Sequence, residues 1–179
     1  MTNIMRYRMS LDLTGFREKF EVPDTCEIHQ LESKDIDALA RMEIEAYQDT
    51  LDFLLRPELQ SFDSCKSFLA GMFAGKIGRG RFLKNLSFKI LCNSTLCGAI
   101  YTFENGKIVH IADLLIAPYC RRRGLGSALL AYSLHSYKAA GYRQVALAVT
   151  ATNRTAIQLY KKFGFEIEKS FPVQLKERR

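Results

Sequence analysis

The residues best suited to chemistry lie together in the second half of the chain, where three arginines precede two glycines. The run 121–123 is followed by Gly124 and Gly126, and from Leu125 onward apolar residues recur at helical spacing. The first turn of a helix offers backbone N–H groups without internal partners and the positive end of the helix dipole. Glycines let an anion approach closely, and arginines add fork-shaped donors. This stretch therefore predicts a binding loop for a phosphorylated cofactor.

The spacing excludes two other phosphate-binding loops. A Walker loop needs a lysine before its Ser or Thr, whereas Ser127 directly follows Gly126. A dinucleotide fingerprint needs a third glycine where Leu129 stands and an acidic residue at the end of the next strand, near Thr150. From this loop alone, there is an alternative: the arginines and glycines are only the solvated start of a helix and bind no cofactor.

The elements that must position this loop follow from hydrophobic periodicity. The β-branched, apolar run 108–117 is too short to cross a membrane and stops before Pro118, so it predicts a strand. A helix and a buried strand at 144–150 follow, and a right-handed crossover makes the two strands parallel. Upstream, the patterns predict strands at 26–31, 88–92, 96–103 and 107–117, helices at 33–47 and 64–74, and a loop at 76–82.

A second group of candidates lies near the end of the chain. Asn153 can cap a short helix whose apolar face contains Leu159 and Tyr160, and Gly164 can end it. The segment 153–165 resembles the last motif of the GNAT N-acyltransferases, N-x-x-A-x-x-L-Y-x-K-x-G-F. RRRGLG resembles the Q/R-x-x-G-x-G/A signature of the same family. Two motifs in the right order are more specific than either one, and the resemblance extends over residues 26–176.

The resemblance implies a fold and a cofactor. The fold is α/β, with a mixed central sheet that has antiparallel N-terminal strands and a splayed parallel pair, flanked by helices. The cofactor is acetyl-CoA, with its pyrophosphate in the arginine loop and its pantetheine arm on free strand backbone. By the family pattern Tyr160 is the general acid at the sulfur and Asn153 holds the pantetheine arm; a core tyrosine and a helix cap are the structural alternatives. The implied cofactor-binding residues are Leu114, Leu115, Ile116, Arg121, Arg122, Arg123, Gly124, Leu125, Gly126, Ser127, Asn153 and Tyr160.

The general base is the point at which the sequence departs from the family pattern. Many members carry a glutamate on one of the two central strands, where this chain has His110, Ala112 and Ala148. Asp113 and His110 are the remaining candidates, and they lie on opposite faces of a regular strand unless a bulge brings them together. Asp113 is preferred because a carboxylate in an apolar run needs a partner or water.

Length and composition indicate one domain with its own core. The 179 residues are 47% hydrophobic, and we expect an N-terminal extension at 1–25 and a single acetyltransferase domain at 26–179. Neither a signal core nor a membrane-length segment is present, which favours a cytoplasmic protein. The five cysteines contain no C-x-x-C pair and are odd in number, which predicts reduced core thiols and no metal site.

The charge is distributed unevenly, which bears on the partners. Residues 120–179 contain twelve Lys/Arg and three Asp/Glu, so the basic surplus lies with the anion loop. No nucleic-acid module surrounds it, so nucleic acid is the less favoured partner. Residues 24–63 contain eleven Asp/Glu and three Lys/Arg, which favours a cationic amine as acceptor if this region walls the acceptor site.

The sequence thus predicts transfer of an acetyl group from acetyl-CoA to a primary amine by direct attack. The amine can belong to a small molecule or to a peptide N-terminus. A catalytically silent, CoA-binding regulatory module is the alternative that the missing glutamate favours. The oligomeric state, monomer or homodimer, stays open.

Overall fold

The computed structural model describes residues 3–77 and 80–175 and has the predicted α/β fold class. Residues 78 and 79 of the predicted loop and residues 176–179 of the predicted domain lie outside the described part. The strands are β1 Asn3–Asp12, β2 Cys26–Gln30, β3 Arg81–Phe82, β4 Phe88–Cys92, β5 Thr95–Asn105, β6 Ile108–Ile116, β7 Gln144–Thr150 and β8 Glu166–Gln174. The α-helices are α1 Ile36–Tyr47, α2 Leu51–Leu55, α3 Phe62–Phe73, α4 Leu125–Ala139 and α5 Arg154–Lys162.

All eight strands form one mixed sheet. Their order is β2-β4-β5-β6-β7-β1-β8, with the short β3 paired to β5. The strands β6 and β7 are parallel, as the crossover rule predicted, and every other described pair is antiparallel. The antiparallel meander β4-β5-β6 therefore leads directly into the parallel pair.

The first strand lies inside the sheet, between β7 and β8. The structure thus differs from the predicted division at residue 25, because part of the expected extension is an interior strand. The predicted division rests on the resemblance, which begins only at residue 26. The charged residues of β1 fit an interior strand. They alternate with core residues: Met9 and Leu11 are buried, whereas Arg6 and Arg8 are only partly buried.

Helices cover the two faces of the sheet. Tyr101 of β5 lies beside Glu43 of α1, whereas the hydroxyl of the next residue, Thr102, hydrogen-bonds Tyr137 of α4 at 2.7 Å. Because neighbouring strand residues point to opposite faces, α1 and α4 lie on opposite sides. After the expectation drawn from the resemblance, we call the side of α1 the acceptor face and the side of α4 the cofactor face.

The prediction of five reduced thiols was wrong. Cys26 is joined to Cys92 and Cys97 to Cys120, and Cys65 is the one free cysteine among the described residues. Counting cysteines missed this because the pairs are made by the fold. Cys26 and Cys92 are directly opposed in the β2–β4 ladder, at sequence positions 66 residues apart.

Residues 3–77 and 80–175 contain neither a membrane-spanning helix nor a cluster of metal-ligating side chains. None of the helices there is long and apolar enough to span a bilayer. Over the same ranges, the His, Cys, Asp and Glu side chains form no group of three or more that could hold a metal ion.

Candidate active site

The parallel strands separate at a bulge, and this opens the site. Pairing between β6 and β7 extends only from Ile108 to Ile111. On the other side of β6, Thr102 is opposite Ile111 but Tyr101 is opposite Asp113, so Ala112 is the extra residue. Beyond the bulge, the backbone of Leu114, Leu115 and Ile116 has no ladder partner on β7. This free edge is where the resemblance placed the pantetheine arm.

The arginine–glycine stretch forms the predicted turn into α4. Gly124 is the N-cap with a φ of 75°, and Arg122 also has a positive φ, of 62°. Such values favour glycine and cost other residues strain. The N–H of Ala128 is the first to bond back, to the carbonyl of Gly124 at 3.0 Å. The preceding amides of the first turn therefore have no partner within the helix and can receive an anion.

The three arginines of the loop have different positions. Arg121 donates to the carbonyl oxygens of Ile116 at 3.3 Å and Ala46 at 2.9 Å, so it ties the loop to β6 and α1. Arg122 lines the main cleft, whereas Arg123 is exposed and is not among the residues that line it. Of the predicted phosphate ligands, Arg123 is thus the one that the structure separates from the cleft.

A cleft of about 890 Å³ runs along the free edge to the start of α4. It meets a cavity of about 140 Å³ on the acceptor face, here called the acceptor cavity. Both are lined by Tyr47, Asp52, Leu114, Asn153, Ala156 and Tyr160. The gap between β6 and β7 therefore connects the two faces of the sheet.

Tyr160 and Asn153 stand at this junction. The side chain of Asn153 accepts from the N–H of Ala156 at 3.1 Å, so the predicted helix cap is present. Its amide nitrogen is left to donate, and the residue also lines the cleft. Tyr160 is 7% exposed and its ring packs against Phe165. Burial, and then the charges of Asp113 and Asp52, raise the pKa of the Tyr160 phenol well above its ordinary value. The phenol therefore stays protonated and suits donation of a hydrogen bond.

Asp113, the preferred candidate base, is bound on both oxygens. The Tyr47 hydroxyl donates to its Oδ1, and Arg56 Nη1 donates to its Oδ2 at 2.6 Å. Only 10% of the Asp113 side chain is exposed. Both of its oxygens are therefore already occupied by protein donors and are not turned toward an incoming amine. The structure therefore does not favour Asp113 as the general base.

Arg56 joins Asp113 to two further carboxylates, and we call these four side chains the Arg56 cluster. Its Nη2 donates to Glu43 at 2.8 Å and its Nε to Glu58 at 2.9 Å. Glu43 is fully buried, and burial raises its pKa to about 7, against the opposing effect of Arg56. The cluster connects α1, the segment after α2 and β6. It thus fixes the wall of the acceptor cavity.

His110 lies elsewhere. The bulge places His110 on the same face as Asp113, which a regular strand would not do. His110 nevertheless lines neither the cleft nor the acceptor cavity. It lines a groove farther along the acceptor face. Burial, and secondly Arg8, lower its pKa. His110 is therefore not brought together with Tyr160.

Sequence reasoning missed two features of this site. Asp52 of α2 lines both the cleft and the acceptor cavity, and its Oδ1 accepts from Thr150 at 2.7 Å. Its segment reads as turns because a five-residue helix shows little periodicity. Glu43 had a usable signal: it occupies a core position of α1, where a carboxylate needs a partner.

The protein thus belongs to a class of α/β folds in which two parallel strands of a mixed sheet separate and leave a cleft between them. The profile of the Acetyltransferase (GNAT) family matches residues 39–165, which is most of the chain. The chain therefore belongs to the GNAT acetyltransferase family.

Two curated relatives match over part of their length. The chain is 36% identical to an uncharacterized N-acetyltransferase of Methanocaldococcus jannaschii over 70 residues, which cover 39% of this chain and 31% of the relative. It is 33% identical to N-alpha-acetyltransferase 50 of Danio rerio over 90 residues, 49% of this chain and 53% of the relative. The matched part thus spans a third to about half of these relatives.

Solved structures share the fold at low identity. A GCN5-related N-acetyltransferase from Sphaerobacter thermophilus has a TM-score of 0.74 at 20% identity, covering 95% of this chain and 50% of that one. The PaiA N-acetyltransferase from Thermoplasma acidophilum in complex with coenzyme A has a TM-score of 0.66 at 22% identity, with coverage of 80% and 91%. The ribosomal-protein-S18-alanine N-acetyltransferase from Escherichia coli gives 0.61 at 24%, with 78% and 76%.

Proposed function

We propose that the protein transfers an acetyl group from acetyl-CoA to a primary amine. The observation that carries this proposal is the free edge at Leu114–Ile116, which ends at the open amides of α4 and passes Tyr160 at the gap. The pyrophosphate binds the first turn of α4 with Arg122 beside it. The pantetheine arm pairs with the free edge, and Asn153 donates to it. The thioester then lies at the gap between the faces.

The chemistry needs few protein groups. The amine nitrogen attacks the thioester carbon from the acceptor face, the C–S bond breaks, and the sulfur leaves as a thiolate. Its raised pKa keeps the Tyr160 phenol protonated, so Tyr160 stabilises that thiolate by donating a hydrogen bond to the sulfur as it leaves. The attacking nitrogen loses its proton to water or to Asp52, the acid of the segment 24–63 that lines both spaces. No covalent enzyme intermediate is involved.

A peptide N-terminus is the acceptor that we favour. Two of the similar proteins, N-alpha-acetyltransferase 50 and the ribosomal-protein-S18-alanine enzyme, are named for acetylation of protein α-amines. An α-amino group has a pKa near ~8 against ~10.4 for a lysine side chain, so it needs less help from a base. That fits a site whose best-placed strand carboxylate, Asp113, is held by Arg56.

The binding of Asp113 by Arg56 also favours a second function, that of a CoA-binding module without turnover. An amine screen decides between them. We expect thiol release from acetyl-CoA above the hydrolysis background with at least one peptide N-terminus. Tight CoA binding together with no release from any peptide or small amine would support the silent module.

The cofactor site is tested by replacing Gly126 with valine. A β-carbon at this position meets Leu159 and Ile116 at 3.6 and 3.7 Å, which is ordinary contact, so the β-carbon itself forces no neighbour to shift. The larger side chain should fill the space next to the phosphate, and we expect CoA affinity to fall by roughly 10-fold or more, as for the loss of a charge-assisted hydrogen bond. Calorimetric titration with CoA measures this.

Arg123→Ala is the matched control for that titration. Arg123 is exposed and does not line the cleft, so its removal should weaken CoA binding less than the Gly126 substitution does. Unchanged affinity in the Gly126 variant, or a larger loss in the Arg123 variant, would show that the pyrophosphate lies elsewhere.

A further inference from the structure

The groove that contains His110 continues the acceptor cavity along the sheet. It has a volume of about 500 Å³, and all of its described lining residues belong to the strands β5, β6, β7, β1 and β8; we call it the basic groove. It shares Arg6, Ala112 and Ala148 with the acceptor cavity. An acceptor whose amine reaches Tyr160 can therefore extend into it.

The groove is lined by cations and by no described acidic residue. Arg6, Arg8 and Lys169 supply three positive charges, with His110 beside them. Arg8 is ion-paired to Glu168 at 3.0 Å, at the margin of the groove. Arg6 Nη2 donates to the carbonyl of Ala148 at 2.9 Å, but its Nε is buried and has no hydrogen-bond partner among the described residues. The Arg6 guanidinium is thus held against β7 by one hydrogen bond and has no ion pair among the described residues.

The expected preference for cationic amines does not agree with this arrangement. It rested on the acid-rich segment 24–63, yet five of its eleven acids are paired with Lys or Arg, and of these acids only Asp52 lines the cleft or the acceptor cavity. Ion pairs hold Glu32 to Lys34, Asp35 to Lys89, Asp37 to Lys66, and Glu43 and Glu58 to Arg56. Asp52 is the member of that segment that lines the site without a cation pair. Apart from Asp52, the charged side chains that line the acceptor cavity and the basic groove without an ion pair among the described residues are Arg6 and Lys169, both positive.

We infer that the acceptor is a peptide N-terminus that carries acidic side chains directly after its first residue, and that the basic groove binds them. This inference rests on the proposed function. Arg6 lies at the junction with the acceptor cavity, so it meets the second residue of the peptide. Arg8, two strand residues or about 7 Å farther on, and its cross-strand neighbour Lys169 meet the following residue.

Three matched peptides test the inference: alanine followed by two glutamates, by two glutamines, or by two lysines, on a common neutral tail. We expect kcat/KM to be about 10-fold higher for the glutamate peptide than for the glutamine peptide at low ionic strength, and lowest for the lysine peptide. Salt should reduce the difference, because the groove is open to solvent. Free glutamate and a phosphoserine peptide are tested in the same assay as alternative anionic acceptors. Preference for either over the glutamate peptide would overturn the assignment.

Two charge variants locate the effect. Lys169→Glu, on the exposed strand β8, and Arg8→Glu should each remove the preference for the glutamate peptide and favour the lysine peptide. Arg17→Glu is the matched control: it reverses one exposed positive charge next to Phe16, which packs on α4 at the cofactor face, and it should leave the preference unchanged. An unchanged preference in both groove variants contradicts the inference.

Binding of the same peptides to the CoA complex, measured by fluorescence anisotropy, separates this inference from the proposed function. If no peptide is acetylated but the glutamate peptide binds about 10-fold more tightly, the groove is as we infer and the transferase proposal fails. If all three peptides are acetylated equally, the transferase proposal holds and the groove inference fails.

Discussion

Replacing Tyr160 with phenylalanine is expected to lower kcat by about 10²-fold and to change CoA affinity and the thermal midpoint little, because one positioned acid usually contributes a factor of this size. The substitution keeps the ring that packs on Phe165 and removes only the hydroxyl. A thiol with a pKa of ~8.5 can depart without full protonation, so the loss should be partial. Steady-state kinetics, CoA titration and thermal melting of the same variant check the three quantities.

Tyr132→Phe is the control for this variant. Tyr132 lies in α4, its ring packs against Phe20 and Phe88, and it does not line the cleft. Loss of its hydroxyl should therefore leave turnover unchanged. If the Tyr160 variant turns over like the parent, Tyr160 has no part in the chemistry. If turnover and CoA affinity fall together, its role is structural.

Replacing Arg56 with glutamine is expected to lower the free energy of unfolding by about 3–5 kcal/mol, the usual cost of removing one partner from a buried ion pair. The change leaves Glu43 and Asp113 buried without the guanidinium that binds both of them. Urea denaturation measures the loss. A cost below about 1 kcal/mol, typical of an exposed pair, would show that solvent reaches the cluster.

The cost of removing Arg56 should depend on pH, and the pKa of Glu43 gives the direction of that dependence. Burial raises the folded-state pKa of Glu43 to about 7 from its ordinary 4.5, so the folded protein binds this proton more tightly than the unfolded chain. The contribution of Glu43 to stability is therefore largest below its ordinary pKa and is lost as the pH rises through about 7. Arg56 opposes the raised pKa of Glu43, so without it Glu43 binds its proton still more tightly, and the cost of Arg56→Gln should be smaller at about pH 5 than at about pH 8.

Glu43→Gln is the matched variant. Glutamine resembles the protonated carboxyl and keeps a group that can accept from Arg56. It should cost much less than Arg56→Gln and should flatten the dependence of stability on pH between 4.5 and about 7. A pH profile of stability unchanged from that of the parent would show that Glu43 does not titrate in this range.

The parts of the site that the sequence predicted are those encoded over short stretches. The turn at Gly124, the start of α4, the cap at Asn153 and the position of Tyr160 each follow from residues a few places apart. Helix periodicity and capping are local physical effects, so they can be recognised without the fold. The parallel pair followed from the handedness of one crossover.

The parts that the sequence did not predict depend on residues far apart in the chain. Arg56 meets Asp113 across 57 positions, and no short pattern contains both. The basic groove combines Arg8 of β1 with Lys169 of β8, whose register cannot be known before the sheet is formed. The position of β1 is itself such a long-range result.

The interior position of β1 has a consequence for how the chain acquires its structure during synthesis. Arg6 pairs with Thr150, 144 residues later, and with Phe171 of β8. At about 5–20 residues per second, this strand must wait roughly ten to thirty seconds for its neighbours to leave the ribosome. Met9 and Leu11 remain exposed to water and to other nascent chains during that time, and such non-local pairing is slow to form. The nascent protein should therefore depend on chaperones more than a GNAT domain whose sheet is completed by strands close in sequence.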